Sequence, residues 1–580
     1  MNLIYLMYQT DNHLIIIQVV NNFNLKFLDM RLLKSKYFLL VILVFSFNSM
    51  FSQSRGVSTT DSLDQKYLDW FNSSPANGQD QGASVNRSYA ELLKNKTPGK
   101  KIVVAVIDGG VDITHPELQG KIWTNADETD GNGIDDDKNG FVDDIHGWNF
   151  IGNSNGENIL YENMEYVRIF KTLNPKFEKV GNINEVKVSE QNSYKLYLKC
   201  KTKLIEELEK YSFRKRNITD FEETFTARES VIKAFLKKEN VTQNDIEAIN
   251  TNNSEVNTAK DYLLDLYKNG FSPNSLAEMK KRVNDFLTYY LNVEFDARKL
   301  VGDNPDDILD TKYGNNNVNG PRASHGTFVS GIIAANRTNN LGINGIADNV
   351  EIMVLRVVPD GDERDKDVAL AIRYAVDNGA NIINMSFGKY FETGRQFVDD
   401  AIHYADMHNV LMVHSAGNDG DNLDLIDHYP TNILSNGSVA KNWITIGASS
   451  DVLDKNFCAV FSNYGQKNVD LFAPGVNIIS IYPHNLYHMG DGTSFSGPVV
   501  AGVAALVWSY YPELTALELK EVLMNSSTKY PKSKVYIPNI KSEKRSKAKF
   551  GKLSQTGGII NAYDALLSAE KVAVTKKAGK

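Results

Sequence analysis

Cysteine is nearly absent: Cys200 and Cys458 are the only two in 580 residues. Two thiols exclude a disulfide-stapled scaffold and a cysteine-based zinc cluster, and both are expected to be free. A positive excess is also missing. The formal net charge is −8 and the pI near 5.8, so no general electrostatic attraction to nucleic acid is expected. No apolar run is long and charge-free enough to span a bilayer. What remains is a chain too long for one comfortable core, which calls for a large catalytic domain with an insertion, or for two domains.

The N-terminal region carries the order of an export signal. Arg31, Lys34 and Lys36 precede a short apolar core over residues 37–47, and a polar exit follows over 49–53. Residues 1–52 are therefore assigned to a signal segment, with Met30 a candidate true start and cleavage expected near Ser52. The protein is expected to be exported, secreted or periplasmic. Residues 53–84 read as a polar N-terminal linker and 569–580 as a basic tail.

One stretch stands apart. Between Pro498 and Tyr511 no side chain is charged, and Pro512 ends the run. A helix that is apolar all round must be buried. Its start nevertheless carries the hydroxyls Thr493, Ser494 and Ser496. These either cap the orphan N–H groups of the first turn or include a nucleophile, since a helix N-terminus favours a forming oxyanion.

Upstream, residues 102–107 are apolar and mostly β-branched without alternation, the pattern of a strand buried on both faces. The strand runs into Asp108-Gly109-Gly110, where open α/β sheets place their sites. A dense acidic loop follows from Asp127 to Asp144. Asp130, Asn132, Asp135, Asp137, Asn139 and Asp143 alternate with glycines as in a Ca²⁺ loop, although the closing Glu and the helical flanks of an EF-hand are missing. The loop reads as a structural Ca²⁺ site or as a solvated acidic turn.

Residues 157–310 change texture: Lys, Glu, Asp and Asn dominate and apolar residues recur at helical spacing. Leu204, Leu208 and Tyr211 share one face; Leu276, Met279, Val283, Phe286 and Tyr290 share another, after a capping box at Ser275 and Glu278. This is a helical insertion without evident chemistry. It could serve as a lid, an inhibitory element or a partner surface, and its partner is unknown. Strands and helices then alternate: a buried helix opened by Ser324-His325-Gly326-Thr327, strands over 352–358, 381–386, 410–413 and 444–448, and helices over 365–377 and 396–408. Such alternation means parallel strands joined by right-handed crossovers.

Asp108, His325 and Ser494 thus lie beside glycines on buried elements, in the order Asp, His, Ser, which is one of the known triad orders. With Val106-Ile107-Asp108-Gly109-Gly110, His325-Gly326-Thr327, Asn384-Met385-Ser386-Phe387-Gly388, Ala416-Gly417-Asn418 and Gly492-Thr493-Ser494, the chain resembles the subtilisin-like serine peptidases. The resemblance implies an α/β fold, a three-layer parallel sheet with helices on both faces, over 85–156 and 311–568. It implies a serine endopeptidase acting on a protein or peptide substrate. Asp108, His325 and Ser494 would be the triad and Asn418 the oxyanion donor, with Ser386, Phe387, Gly388, Ser415, Ala416 and Gly417 flanking the substrate. A catalytically silent binding protein and a peptide ligase on the same fold are the alternatives. Phe328 departs from the second His usual in the family, and Phe495-Ser496-Gly497 from its commoner Met-Ala-Ser.

Overall fold

The computed structural model describes residues 4–10, 13–19, 56–75, 80–542 and 544–578. Of the signal segment expected over residues 1–52, only 4–10 and 13–19 are described, and the charged region, apolar core and polar exit over 31–52 lie outside the described residues. Residues 1–55 and 56–580 form separate units. In the first, strands Ile4–Thr10 and His13–Val19 pair antiparallel.

The second unit is built on a nine-stranded sheet. Its strands in chain order are β1 (Ile102–Asp108), β2 (Gly147–Asn149), β3 (Val350–Arg356), β4 (Ile382–Met385), β5 (Leu411–Ser415), β6 (Trp443–Ser449), β7 (Leu471–Pro474), β8 (Thr528–Lys529) and β9 (Gly558–Ile559). Across the sheet they run β8-β9-β7-β6-β5-β4-β1-β3-β2, all neighbours parallel except β8 and β9. β1 is flanked by β3 on one side and β4 on the other, so the winding reverses there. Crevices beyond the carboxyl ends of strands at such a reversal are where α/β sheets bind ligands.

The helices include, in chain order, α1 (Glu165–Phe177), α2 (Gln191–Leu236), α3 (Ser254–Lys268), α4 (Pro273–Asp285), α5 (Ser324–Ala334), α6 (Asp365–Asp377), α7 (Arg395–Met407) and α8 (Thr493–Tyr510). Alternate residues of β1 serve two cores, as the pleat requires. Ile102, Val104 and Val106 join the core that holds α5 and α8; Ala105 and Ile107 join the one that holds α6 and α7. The fold is therefore a three-layer α/β architecture with helices on both faces of a mostly parallel sheet. α8 is buried along nearly its whole length, which accounts for its lack of charge.

The helical insertion carries α1 to α4. Tyr166, Val167, Cys200, Leu204, Tyr211 and Val283 form a satellite core of their own. The start of α4 differs from expectation: Pro273 takes the first helical position and the capping box is Ser272 with Ser275, one turn earlier than Ser275 and Glu278. α1 is bolted to the sheet domain by buried charges. Lys389 Nζ lies 2.8 Å from Glu165 Oε2 and 2.7 Å from Asp365 Oδ1, and Arg168 donates to the Asp362 and Glu363 carbonyls as well as to Glu165. Burial disfavours the Lys389 ammonium, but Asp365 and Glu165 together hold its pKa above the ordinary lysine value. Cys200 and Cys458 are both buried and free. The segment read as a linker buries Trp70 and Phe71 in the main core, and the Trp70 indole donates to the Asn477 carbonyl. Among the described residues, no helix is long and apolar enough to cross a membrane.

Candidate active site

Asp108 ends β1 and is buried; His325 is the second residue of α5. The imidazole Nδ1 faces both carboxylate oxygens, 2.8 Å from Oδ2 and 3.0 Å from Oδ1, and Oδ1 also accepts the Gly109 N–H at 2.7 Å. The approach of α5 to β1 depends on Gly326, where a Cβ would stand 2.2 Å from the Gly110 carbonyl oxygen and 3.2 Å from the Asp108 Cβ. Burial disfavours the imidazolium of His325, but the Asp108 carboxylate, through its field and its hydrogen bond, raises the pKa above the ordinary histidine value.

Ser494 lies in the first turn of α8. Its hydroxyl donates to the Ser386 carbonyl at 3.1 Å, and no hydrogen bond joins it to His325. Two further hydroxyls tie α8 to the strand ends: Ser386 Oγ donates to the Ser494 carbonyl at 2.9 Å and Ser415 Oγ to the Thr493 carbonyl at 2.8 Å. Thr493 and Ser496 do not cap their own helix. Thr493 Oγ1 donates to Asn418 Oδ1 at 2.9 Å and accepts from the Gly417 N–H, while Ser496 Oγ donates to the Ala473 carbonyl. The positive end of the helix is thereby left open beside Ser494.

Asn418 spends its carbonyl oxygen on Thr493, on both N–H and hydroxyl, at 2.9 Å each. That fixes the amide plane and leaves the Nδ2 hydrogens uncommitted. A Cβ built on Gly492 would stand 3.6 Å from Ser494 N and 3.7 Å from Asn418 Nδ2. Two unspent donors therefore border the same small space next to the hydroxyl, an arrangement able to hold a developing oxyanion. Phe328 and Phe495, the two departures noted in the sequence, pack against each other at 4.1 Å between centroids with their planes tilted by 31°, and Phe495 lies 5.9 Å from the His325 ring. The change of His to Phe at 328 is thus matched by an aromatic neighbour, a pairing that sequence spacing does not show.

Ser386, Phe387 and Gly388 follow β4; Ser415 ends β5, with Ala416 and Gly417 next, so the two segments leave adjacent parallel strands side by side. His414 Nε2 bridges them by donating to the Phe387 carbonyl at 2.9 Å. A residue not singled out in the sequence, His428, lies between Gly388 and Gly417.

The acidic loop is folded around its own backbone. Asp135 accepts from the Asn139 and Gly140 N–H groups and Asp143 from those of Asn132 and Gly133, while Asn132 and Asn139 accept from Ile134 and Phe141. Asp130 is exposed. Left-handed turns at Gly131, Gly133, Lys138 and Gly140 aim these oxygens at local N–H groups instead of at one point. Among the carboxylates of the loop, oxygens of Glu128, Asp137 and Asp144 lie within 4.8 Å of one another, and Asn139 Nδ2 donates to both Asp137 and Asp144 at 3.0 Å. An all-oxygen, triply anionic cluster fits a hard cation such as Ca²⁺. Glu128 and Asp144 fall outside the regular alternation, which is why spacing alone did not select them.

The model of the subtilase family, Peptidase S8, matches residues 99–551. The thermophilic serine proteinase of Bacillus sp. (strain AK1) is 35% identical over 254 residues, 44% of this chain and 56% of that protein. The cell wall-associated protease of Bacillus subtilis (strain 168) is 31% identical over 260 residues, 44% of this chain and 27% of that protein. Subtilisin BL of Lederbergia lenta is 32% identical over 213 residues, 37% of this chain and 73% of that protein. The chain thus spans about half the length of the first of these relatives and about a quarter of the second.

Proposed function

The chain belongs to the subtilase family, and we propose that it is an exported serine endopeptidase hydrolysing peptide bonds through Ser494, His325 and Asp108, with Asn418 as oxyanion donor. The observation that carries this is a half-exposed His325 held by the buried Asp108 carboxylate, together with a hydroxyl in the first turn of α8 that has two uncommitted donors next to it. Relatives named as proteinases and proteases support the same reaction class.

A change of Ser494 rotamer, one staggered well to another, would release its hydroxyl from the Ser386 carbonyl and free it to donate to His325 Nε2. Loose hydrogen bonds of this kind are common before substrate binds. Oγ then attacks the scissile carbonyl carbon while Nε2 takes the proton. The negative charge develops on the carbonyl oxygen, which accepts from Asn418 Nδ2 and the Ser494 N–H. Collapse breaks the C–N bond and the imidazolium returns the proton to the leaving amine. A water, deprotonated by the same nitrogen, hydrolyses the acyl-enzyme to release the carboxylate and restore the hydroxyl. Asp108 keeps the Nδ1 proton in place and stabilises the imidazolium throughout.

A Ca²⁺ at Glu128, Asp137 and Asp144 belongs to the same proposal as a structural ion; it would neutralise three carboxylates that otherwise repel. The decisive experiment is labelling of the full chain with a fluorophosphonate probe. Stoichiometric modification of Ser494, lost in Ser494→Ala together with cleavage of a casein substrate, is expected; a folded protein that takes no label refutes the proposal.

A further inference from the structure

The gap between the two strand-end segments opens directly onto the reacting groups. One wall, Ser386 to Gly388, supplies the carbonyl that holds the Ser494 hydroxyl; the other, Ser415 to Gly417, leads into Asn418. A peptide whose carbonyl carbon meets Ser494 Oγ and whose oxygen meets Asn418 Nδ2 must put the side chain of its acyl residue somewhere nearby, and this gap is the adjoining space.

That space is filled by the ring of His428. A Cβ on Gly388 would stand 2.3 Å from His428 Cε1 and 2.9 Å from the Tyr429 carbonyl oxygen. A Cβ on Gly417 would stand 3.0 Å from His428 Nε2 and 3.3 Å from Cε1. Both walls lack side chains where the ring passes, so the imidazole packs against both backbones. Further rings box it in, with Tyr390 at 5.1 Å and His414 at 5.7 Å between centroids. Tyr390 is itself fixed, donating to Asp419 at 2.7 Å and accepting from Asn463 Nδ2 at 3.2 Å.

We propose that His428 is a specificity-determining residue which closes the acyl-side pocket, so that the enzyme cleaves after small residues such as alanine or serine and rejects aromatic ones. This inference rests on the endopeptidase function proposed above. The plug is uncharged at neutral pH, because burial drives the His428 pKa down to about 4. It is held by packing alone: Nδ1 is buried without a hydrogen-bond partner and no other bond anchors the ring. Removing the ring therefore leaves no partner unsatisfied, which makes truncation a clean perturbation.

The test compares two chromogenic peptides, succinyl-Ala-Ala-Pro-Ala and succinyl-Ala-Ala-Pro-Phe p-nitroanilide, on the full chain. Rates are normalised to active sites titrated with a fluorophosphonate, which corrects for any misfolded fraction. Wild-type protein should favour alanine over phenylalanine by about 100-fold in kcat/KM, the scale of discrimination a closed apolar pocket achieves. His428→Gly, and independently His428→Ala, should raise kcat/KM for the phenylalanine peptide by roughly 30-fold or more while that for alanine changes less than about threefold. Wild-type protein that labels fully yet cleaves both peptides equally overturns the role of His428 and leaves the endopeptidase proposal standing. So does an unchanged ratio in fully labelled variants. Absence of labelling in the wild type overturns both.

Discussion

Replacing Asp108 by asparagine keeps the size of the side chain but removes the charge that His325 Nδ1 faces at 2.8 and 3.0 Å. One acceptor survives: the amide oxygen can still take the Gly109 N–H that Oδ1 accepts at 2.7 Å. The amide NH₂ then points at Nδ1 and donates to it. A ring that accepts at Nδ1 carries its proton on Nε2 and cannot take one from Ser494. The loss expected from such a wrong tautomer is about 10⁴-fold in kcat, a figure established for a triad on another fold, or about 5.5 kcal/mol of transition-state stabilisation at 1.36 kcal/mol per decade. KM should change little, since Asp108 touches no substrate. The pH profile gives a second readout. His325 must be neutral to act as a base, and Asp108 raises its pKa above 6.5, so wild-type kcat/KM should fall as pH drops through a value above that figure. In Asp108→Asn the remaining influences are burial and the Arg322 charge, both of which favour the neutral ring, and the acid limb should move to lower pH. The assay is initial rate on a p-nitroanilide peptide across pH, per titrated active site. A loss below about tenfold, or an acid limb that stays in place, would refute the assigned role of Asp108.

Asn418→Ala removes one of the two uncommitted donors and should lower kcat by about 10²–10³ with KM nearly constant; that magnitude was established on a subtilisin and is carried over to this relative. An equal loss in KM would mean that Asn418 serves ground-state binding instead. Lys389→Met leaves Asp365 without its cation and Glu165 with Arg168 alone, and breaking a buried pair in this way costs about 3–5 kcal/mol. Denaturant unfolding measures it, and a change under about 1 kcal/mol would show that α1 is not clamped through this lysine. Chelation should lower the melting temperature if Glu128, Asp137 and Asp144 share a Ca²⁺, and Asp137→Asn should abolish the difference; identical melting with and without chelator counts against the ion.

Local signals carried far in this chain. Uncharged, β-branched runs mark strands buried on both faces, and the observed β1 and β4 fall within a residue of the sequence boundaries because both ends are glycine or polar turns. α6 spans Asp365–Asp377, the range its amphipathic pattern predicts. Where two local rules compete, neighbours decided. Pro273 moved the cap of α4 back to Ser272, and the hydroxyls of Thr493 and Ser496 left their own helix for Asn418 and Ala473.

By itself the sequence determined the parallel α/β alternation, the helical insertion, and which side chains stand beside glycines at the ends of buried elements, since all three are consequences of pattern within a few residues. Tertiary structure alone decided how those side chains meet. Asp108 and His325 are 217 residues apart, Asn418 and Thr493 are 75 apart, and the imidazole of His428 enters a gap between two other strands. Side chains that distant are brought into contact only by the winding reversal at β1 and by glycines that let backbones approach. The acidic loop shows the reverse case: its regular spacing was legible, but backbone turns claimed most of the oxygens, and the cluster that converges includes Glu128 and Asp144. Spacing names the candidates; three-dimensional competition for their hydrogen bonds selects among them.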